Sequence, residues 1–213
     1  VGAYSNAVTL LKDAKVRTNK LEEKFKKSYT YSPSYNKSKI TTTNTTITAN
    51  SVALGSFSNN LFYDKVLETT AVGEHTVTRQ LTVKKGVRYN LRVCVKSAER
   101  NKIQLYVNGS GFAYGTEQSV IVDLTTGSLT NNQLLQSPSV SLFGASDYAP
   151  GNVLIEIYVT ATADGLGTFG IRSCLNDNSI SYAGVSTSGY LVGMFKISYN
   201  NSGDSNNNLY FNR

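Results

Sequence analysis

Tryptophan is absent from this chain, histidine and methionine occur once each, cysteine twice and proline three times in 213 residues. Any aromatic surface must therefore be built from Tyr and Phe. The lone His75 has no obvious acid or nucleophile partner in sequence and sits in a Thr-rich strand, so it reads as structural. Cys94 and Cys174 lack a second Cys or a His at metal-ligand spacing, which leaves no metal site to expect. They read as two buried thiols, the alternative being one disulfide between facing strands. No apolar run approaches the ~20 residues of a membrane span, so no membrane role is expected. No apolar stretch with a small-residue cleavage site opens the chain at Val1, and residues upstream of Val1 are expected. Nucleophile elbows, phosphate loops and metal-binding helix motifs are missing, which predicts no enzyme and no cofactor.

Charged residues make up only 16% of the chain, and the net charge of +7 is unevenly placed. Residues 1–40 hold nine Lys or Arg against Asp13, Glu22 and Glu23, whereas the other 173 residues hold twelve bases and eleven acids. Tyr4, Ala7, Leu11, Ala14, Thr18, Leu21 and Phe25 fall at alternating spacings of three and four, the seam of a helix. The spacing predicts a basic helical stalk or anchor over residues 1–27, which oligomerises through Leu11, Leu21 and Phe25. An amphipathic helix packed on the domain is the other reading. Residues 28–45 are a polar linker, with a first strand near Ile40–Ala49, and 201–213 are an Asn-rich tail.

From residue 46 to 200 the apolar pattern has period two. Thr76–Val83, Val87–Val95, Ile103–Val107, Ser119–Leu124, Val153–Thr160, Thr168–Leu175 and Tyr190–Tyr199 are short and rich in Val, Ile, Tyr and Phe. Turns separate them at Lys85-Gly86, Asn108-Gly109, Thr126-Gly127, Pro150-Gly151 and Asp164-Gly165. Short connections favour antiparallel neighbours, and no helix-length segment intervenes. The pattern predicts an all-β, antiparallel two-sheet sandwich.

Four segments between about Glu74 and Tyr199 carry a resemblance to a known family. They are Gly86-Val87-Arg88-Tyr89-Asn90-Leu91, then Val122-Asp123-Leu124-Thr125-Thr126-Gly127-Ser128-Leu129, then Gly151-Asn152-Val153 through Thr162. The last is Tyr182-Ala183-Gly184 with Gly189-Tyr190-Leu191-Val192-Gly193-Met194-Phe195. In order and spacing the stretch resembles the carbohydrate-binding-module-like jelly rolls of phage tail fibres and tailspikes. The resemblance implies a jelly roll and a virion fibre or capsid decoration subunit without catalysis, in a homo-oligomer with a trimer favoured. It also implies other virion proteins docked through the N-terminal segment, and a host-surface glycan or a neighbouring virion protein as the jelly roll's ligand. Its rivals are a small viral coat protein with a basic nucleic-acid-facing arm and a bacterial glycan-binding adhesin module. The basic segment has one Arg and three acids, unlike the Arg-dense arms that bind nucleic acid, so nucleic acid is not an expected partner.

Ligand-binding candidates are aromatics beside Gly and Asn in loops: Phe112, Tyr114, Tyr148 and Tyr182. Tyr rings offer stacking surface with a polar tip, and the competing role is to plug an end of the core. Glu117 and Asp123 share strand parity, a pattern that two hydrolytic carboxylates would need but that is also ordinary for a strand. Asn176-Asp177-Asn178 clusters oxygens, which fits either Ca²⁺ or a turn.

Overall fold

The computed structural model describes residues 40–53, 62–142 and 152–200. The chain divides into two units, Val1–Tyr31 and Ser32–Arg213, and every described residue belongs to the second. The expected stalk over 1–27 with Leu11, Leu21 and Phe25, most of the linker, and the tail lie outside the described residues.

Alternating apolar residues give fourteen strands and no helix among the described residues. One six-stranded sheet runs β1 (Ile40–Thr43), β5 (Thr76–Val83), β12 (Gly165–Cys174), β7 (Lys102–Asn108), β8 (Gln118–Asp123), β9 (Leu129–Thr130). The second runs β10 (Ser139–Leu142), β11 (Asn152–Thr160), β6 (Arg88–Ser97), β14 (Gly189–Asn200), β3 (Phe62–Glu68), β2 (Thr45–Ala53). A small ribbon pairs β13 (Ser181–Ala183) with β4 (Val72–Glu74). All pairings are antiparallel.

Eight of the strands define the topology. Taking β3, β5, β6, β7, β8, β11, β12 and β14 as first to eighth, one sheet reads 1-8-3-6 and the other 2-7-4-5. Among these eight, every connection but the β7–β8 hairpin crosses between sheets, which is the jelly-roll arrangement of two Greek keys.

The core lies between the sheets. On β6, Tyr89, Leu91, Val93 and Val95 are buried while the residues between them point outward. Leu91 faces Ile157 and Ile197, and Val93 faces Ile155 and Phe195. From the other sheet come Ile103, Leu105, Val107, Val120, Val122, Phe169 and Ile171. Burying each such side chain contributes about 1.5–3 kcal/mol. Val192 and Phe195 sit three apart yet both face inward, because a bulge between Val192 and Met194 resets the parity at Gly193. A Cβ at Gly193 would lie 2.9 Å from the Tyr63 ring, so glycine also gives that ring its place.

The expected single strand near Ile40–Ala49 is two strands, one in each sheet. Asn44, with φ 52°, turns the chain from β1 into β2. Its carbonyl accepts the Thr69 N–H and pairs with His75 Nδ1, each at 2.8 Å. Asparagine tolerates this left-handed backbone better than most residues. Both cysteines are free thiols on different sheets, Cys174 buried on β12 and Cys94 half-buried on β6.

Candidate functional site

On the first sheet, the alternation that sends Val77, Ile171, Leu105 and Val120 inward leaves a polar outer face. One row across the strands holds Thr76, Arg172, Gln104 and Ile121, and the next holds Thr78, Gly170, Tyr106 and Ser119. Gly170 is what lets the Tyr106 ring lie against the sheet, since a Cβ there would come within 2.4 Å of the ring. The Arg172 guanidinium covers that ring at 3.7 Å from its centroid, a cation–π contact strengthened by partial desolvation. Burial pushes the Tyr106 hydroxyl above its ordinary value, and the neighbouring Arg172 opposes that shift.

Arg172 is 3% exposed and is held by two carboxylates. Its Nη1 donates to Glu74 at 2.9 Å and its Nη2 to Glu117 at 2.6 Å. Glu117 also accepts from Asn108 Nδ2 at 3.1 Å, and Gln104 Nε2 donates to Ser119 Oγ at 3.1 Å. Two buried atoms in this array have no hydrogen-bond partner, the donor Arg172 Nε and the acceptor Gln104 Oε1. Their residues are direct cross-strand neighbours. Around them, Thr78, Thr168, Asn108 and Glu117 are half-exposed and Gln80 is exposed. The face is therefore a fixed set of amide, hydroxyl, carboxylate and guanidinium groups, suited to exchanging hydrogen bonds with a polyhydroxylated ligand.

A second polar cluster closes the end of the sandwich where β3 finishes. Glu68, 2% exposed, accepts from Arg100 Nε at 2.6 Å and Nη2 at 2.7 Å. It also accepts from the Tyr182 hydroxyl at 2.6 Å and the Val185 N–H at 3.0 Å. Desolvation alone would raise the Glu68 pKa, but the hydrogen bonds from Arg100, Tyr182 and Val185 outweigh it and hold the carboxyl below its usual range. His75, fully buried, lies tilted against the Tyr182 ring with centroids 4.9 Å apart, and its Nε2 is 3.3 Å from the Tyr182 carbonyl. Four donors from Arg100, Tyr182 and Val185 meet on one carboxylate, so this cluster fastens the 175–188 connection to the sandwich.

The loop aromatics do not form one site. Phe112 requires a correction: it is 4% exposed and packs edge-on to Phe169 at 5.4 Å and Tyr89 at 6.0 Å, so it belongs to the core rather than to a ligand surface. Tyr114 is half-buried against Phe112, and its hydroxyl donates to the Thr160 carbonyl. Tyr182 is half-buried at the Glu68 end. The two stand at opposite ends of the sandwich, beside opposite ends of β7, and Tyr148 lies outside the described residues.

Glu117 and Asp123 flank β8 at its two ends. Asp123 Oδ1 is taken up by its own turn, accepting from Thr125 N at 2.8 Å and Thr126 N at 3.1 Å. The oxygens of 176–178 are engaged by an ammonium group, since Lys102 Nζ donates to the Asn176 carbonyl at 2.7 Å and to Asn178 Oδ1 at 2.9 Å. Among the described residues no group of His, Cys, Asp and Glu is arranged to hold a metal ion.

No family model matches the chain, and no curated protein does. Among solved structures it is similar to that of CBM35 from Paenibacillus barcinonensis, at 11% identity and a TM-score of 0.34, over 75% of this chain and 91% of that one. That likeness is too distant to carry a residue or a ligand across.

Proposed function

We propose that the jelly roll is a non-catalytic glycan-binding module, displayed on a virion by an oligomeric fibre or decoration subunit. The observation that carries the binding half is the outer face of the first sheet, where Arg172 locks Glu74, Glu117 and Tyr106 in place beside the half-exposed Thr78, Thr168 and Asn108. A sugar hydroxyl both accepts and donates, so it can pair with the exposed amide, hydroxyl and carboxylate groups of that face. The jelly-roll fold serves capsid and lectin domains alike, which is why the reading rests on the face and not on the fold. The virion half rests on the four segments that resemble phage fibre domains and on the Leu11, Leu21 and Phe25 seam.

A glycan array probed with the full chain tests this, followed by calorimetry on the best ligand with Gln104→Ala and Asn108→Ala. Each lost hydrogen bond should weaken binding by about 0.5–1.5 kcal/mol, or roughly two- to tenfold, with folding retained. Folded protein that binds no glycan on the array refutes the reading. Sedimentation of the same sample should show a small closed oligomer, with a trimer expected.

A further inference from the structure

Asn108-Gly109 is the one place in the 213 residues where glycine follows asparagine. An asparagine amide carbon lies only a few bonds from the backbone nitrogen of the next residue, which can attack it. Glycine in that next position has no Cβ to screen the nitrogen. The fold requires glycine here, because Gly109 sits at φ 110° and a Cβ on it would lie 2.4 Å from the Leu166 carbonyl oxygen. The turn that closes β7 onto β12 therefore keeps the nitrogen unscreened.

The nitrogen is also free of the sheet. The pairing of β7 with β12 stops at Asn108 and Thr168, and the Gly109 N–H donates to no group among the described residues. Gly109 and Ser110 are exposed and Asn108 is half-buried, so water reaches the atoms concerned. The Asn108 side chain lies on the outer face of the first sheet. Its Nδ2 donates at 3.1 Å to Glu117 Oε2, the same oxygen that accepts from Arg172 Nη2 at 2.6 Å.

We propose that Asn108 is a site of spontaneous deamidation, which sets a new carboxylate beside Glu117. The Gly109 nitrogen bonds to Asn108 Cγ, the Cγ–Nδ2 bond breaks, and Nδ2 leaves as ammonia, taking up the Gly109 amide proton through solvent. Water then opens the five-membered imide at either carbonyl. One opening gives aspartate with the main chain as before, and the other gives isoaspartate, whose main chain is one methylene longer. The net change is loss of ammonia and gain of water, with no oxidation or reduction. In both products a donor toward Glu117 becomes a second anion, and like charges this close repel. Isoaspartate also displaces the turn in which the Phe112 N–H donates to the Gly109 carbonyl at 2.9 Å and the Gly111 N–H to the Leu166 carbonyl at 3.0 Å. The reaction stands whether or not this face binds a glycan.

The test ages the full chain in mildly alkaline buffer at body temperature and maps it by peptide mass spectrometry over days to weeks. Asn108→Gln and a wild-type sample held in denaturant are aged beside it. Folded wild type should gain the mass difference between an amide and a carboxylic acid at Asn108 before any other asparagine does, with aspartate and isoaspartate both present. Asn108→Gln, which would have to close a six-membered ring, should stay unmodified at this position. The aged protein should melt about 2–4 °C lower, as for one lost hydrogen bond in a domain of this size, and fresh Asn108→Asp should show a similar drop. Reaction in denaturant but not in the folded chain would mean that the sheet holds the amide away from Gly109, and overturns the inference. So does a mass gain that appears first at another asparagine, and so does no reaction in either sample.

Discussion

Replacing Glu68 by Gln removes one charge from a buried pair and leaves the shape of the side chain intact. Glu68 is the sole carboxylate on Arg100 among the described ion pairs, and its side chain is 0% exposed against 16% for Arg100. Breaking a buried pair from one side costs about 3–5 kcal/mol, because the surviving charge loses water and partner together. Arg100 can recover some water, so the lower figure applies, about 3 kcal/mol. A carboxamide also turns an NH₂ toward two of the four donors, since each carboxylate oxygen accepts two. For a domain of this size about 2–4 °C of melting temperature accompanies each kcal/mol, which gives a loss of roughly 6–12 °C by calorimetry at neutral pH. The folded carboxyl titrates below its ordinary value of 4.5, so its stabilisation is complete above that value and is lost as pH falls through the folded pKa. The gap between wild type and Glu68→Gln should therefore close in acid. Replacing Glu68 and Arg100 together by Met should cost much less than Glu68→Gln alone. A loss under about 1 kcal/mol at neutral pH, typical of an exposed ion pair, would refute the account.

Phe112→Ala should destabilise the domain by about 3–5 kcal/mol in denaturant unfolding, as a core truncation does, whereas Tyr114→Phe should lose about 1 kcal/mol, for one hydrogen bond. Burial pushes the Cys94 thiol up to about 11 and the Cys174 thiol up to about 12, so neither should react with a thiol reagent at pH 8 until denaturant is added.

Period-two alternation made the long strands legible, and Thr76–Val83 matches β5 end to end. The same cue failed where alternation was short or interrupted. β4, β9 and β13 are two or three residues long, below any useful pattern, and their pairing is set by what they lie against. The split at Asn44 was hidden because Thr fits both an edge strand and a turn. The candidate face on the first sheet was present in the sequence as the outward parity of Gln104-x-Tyr106-x-Asn108 and Gly170-x-Arg172. Aromatics beside Gly in loops stand out in a sequence, whereas polar residues on the outward side of a strand look like ordinary solvent-facing positions. Phe112 was misplaced for the converse reason, since a Gly-flanked loop can fold its aromatic inward as readily as display it.

Tryptophan's absence acquires a structural meaning once the tyrosines are placed. Three tyrosine rings that would otherwise offer a stacking face each lie near a guanidinium: Tyr106 with Arg172 at 3.7 Å, Tyr158 with Arg88 at 4.4 Å and Tyr182 with Arg100 at 5.4 Å. In each pair the ring positions the arginine, and the planar fork of that arginine is what remains to face outward or to hold a carboxylate. On the proposed glycan-binding reading, a surface organised in this way would recognise a ligand by directional hydrogen bonds and charge more than by stacking on apolar ring faces. Specificity would then depend on where the ligand's hydroxyl groups fall relative to the strand rows, a spacing fixed by the sheet itself. That dependence suits a jelly roll, whose broad faces can each carry a different polar grid over one shared apolar core.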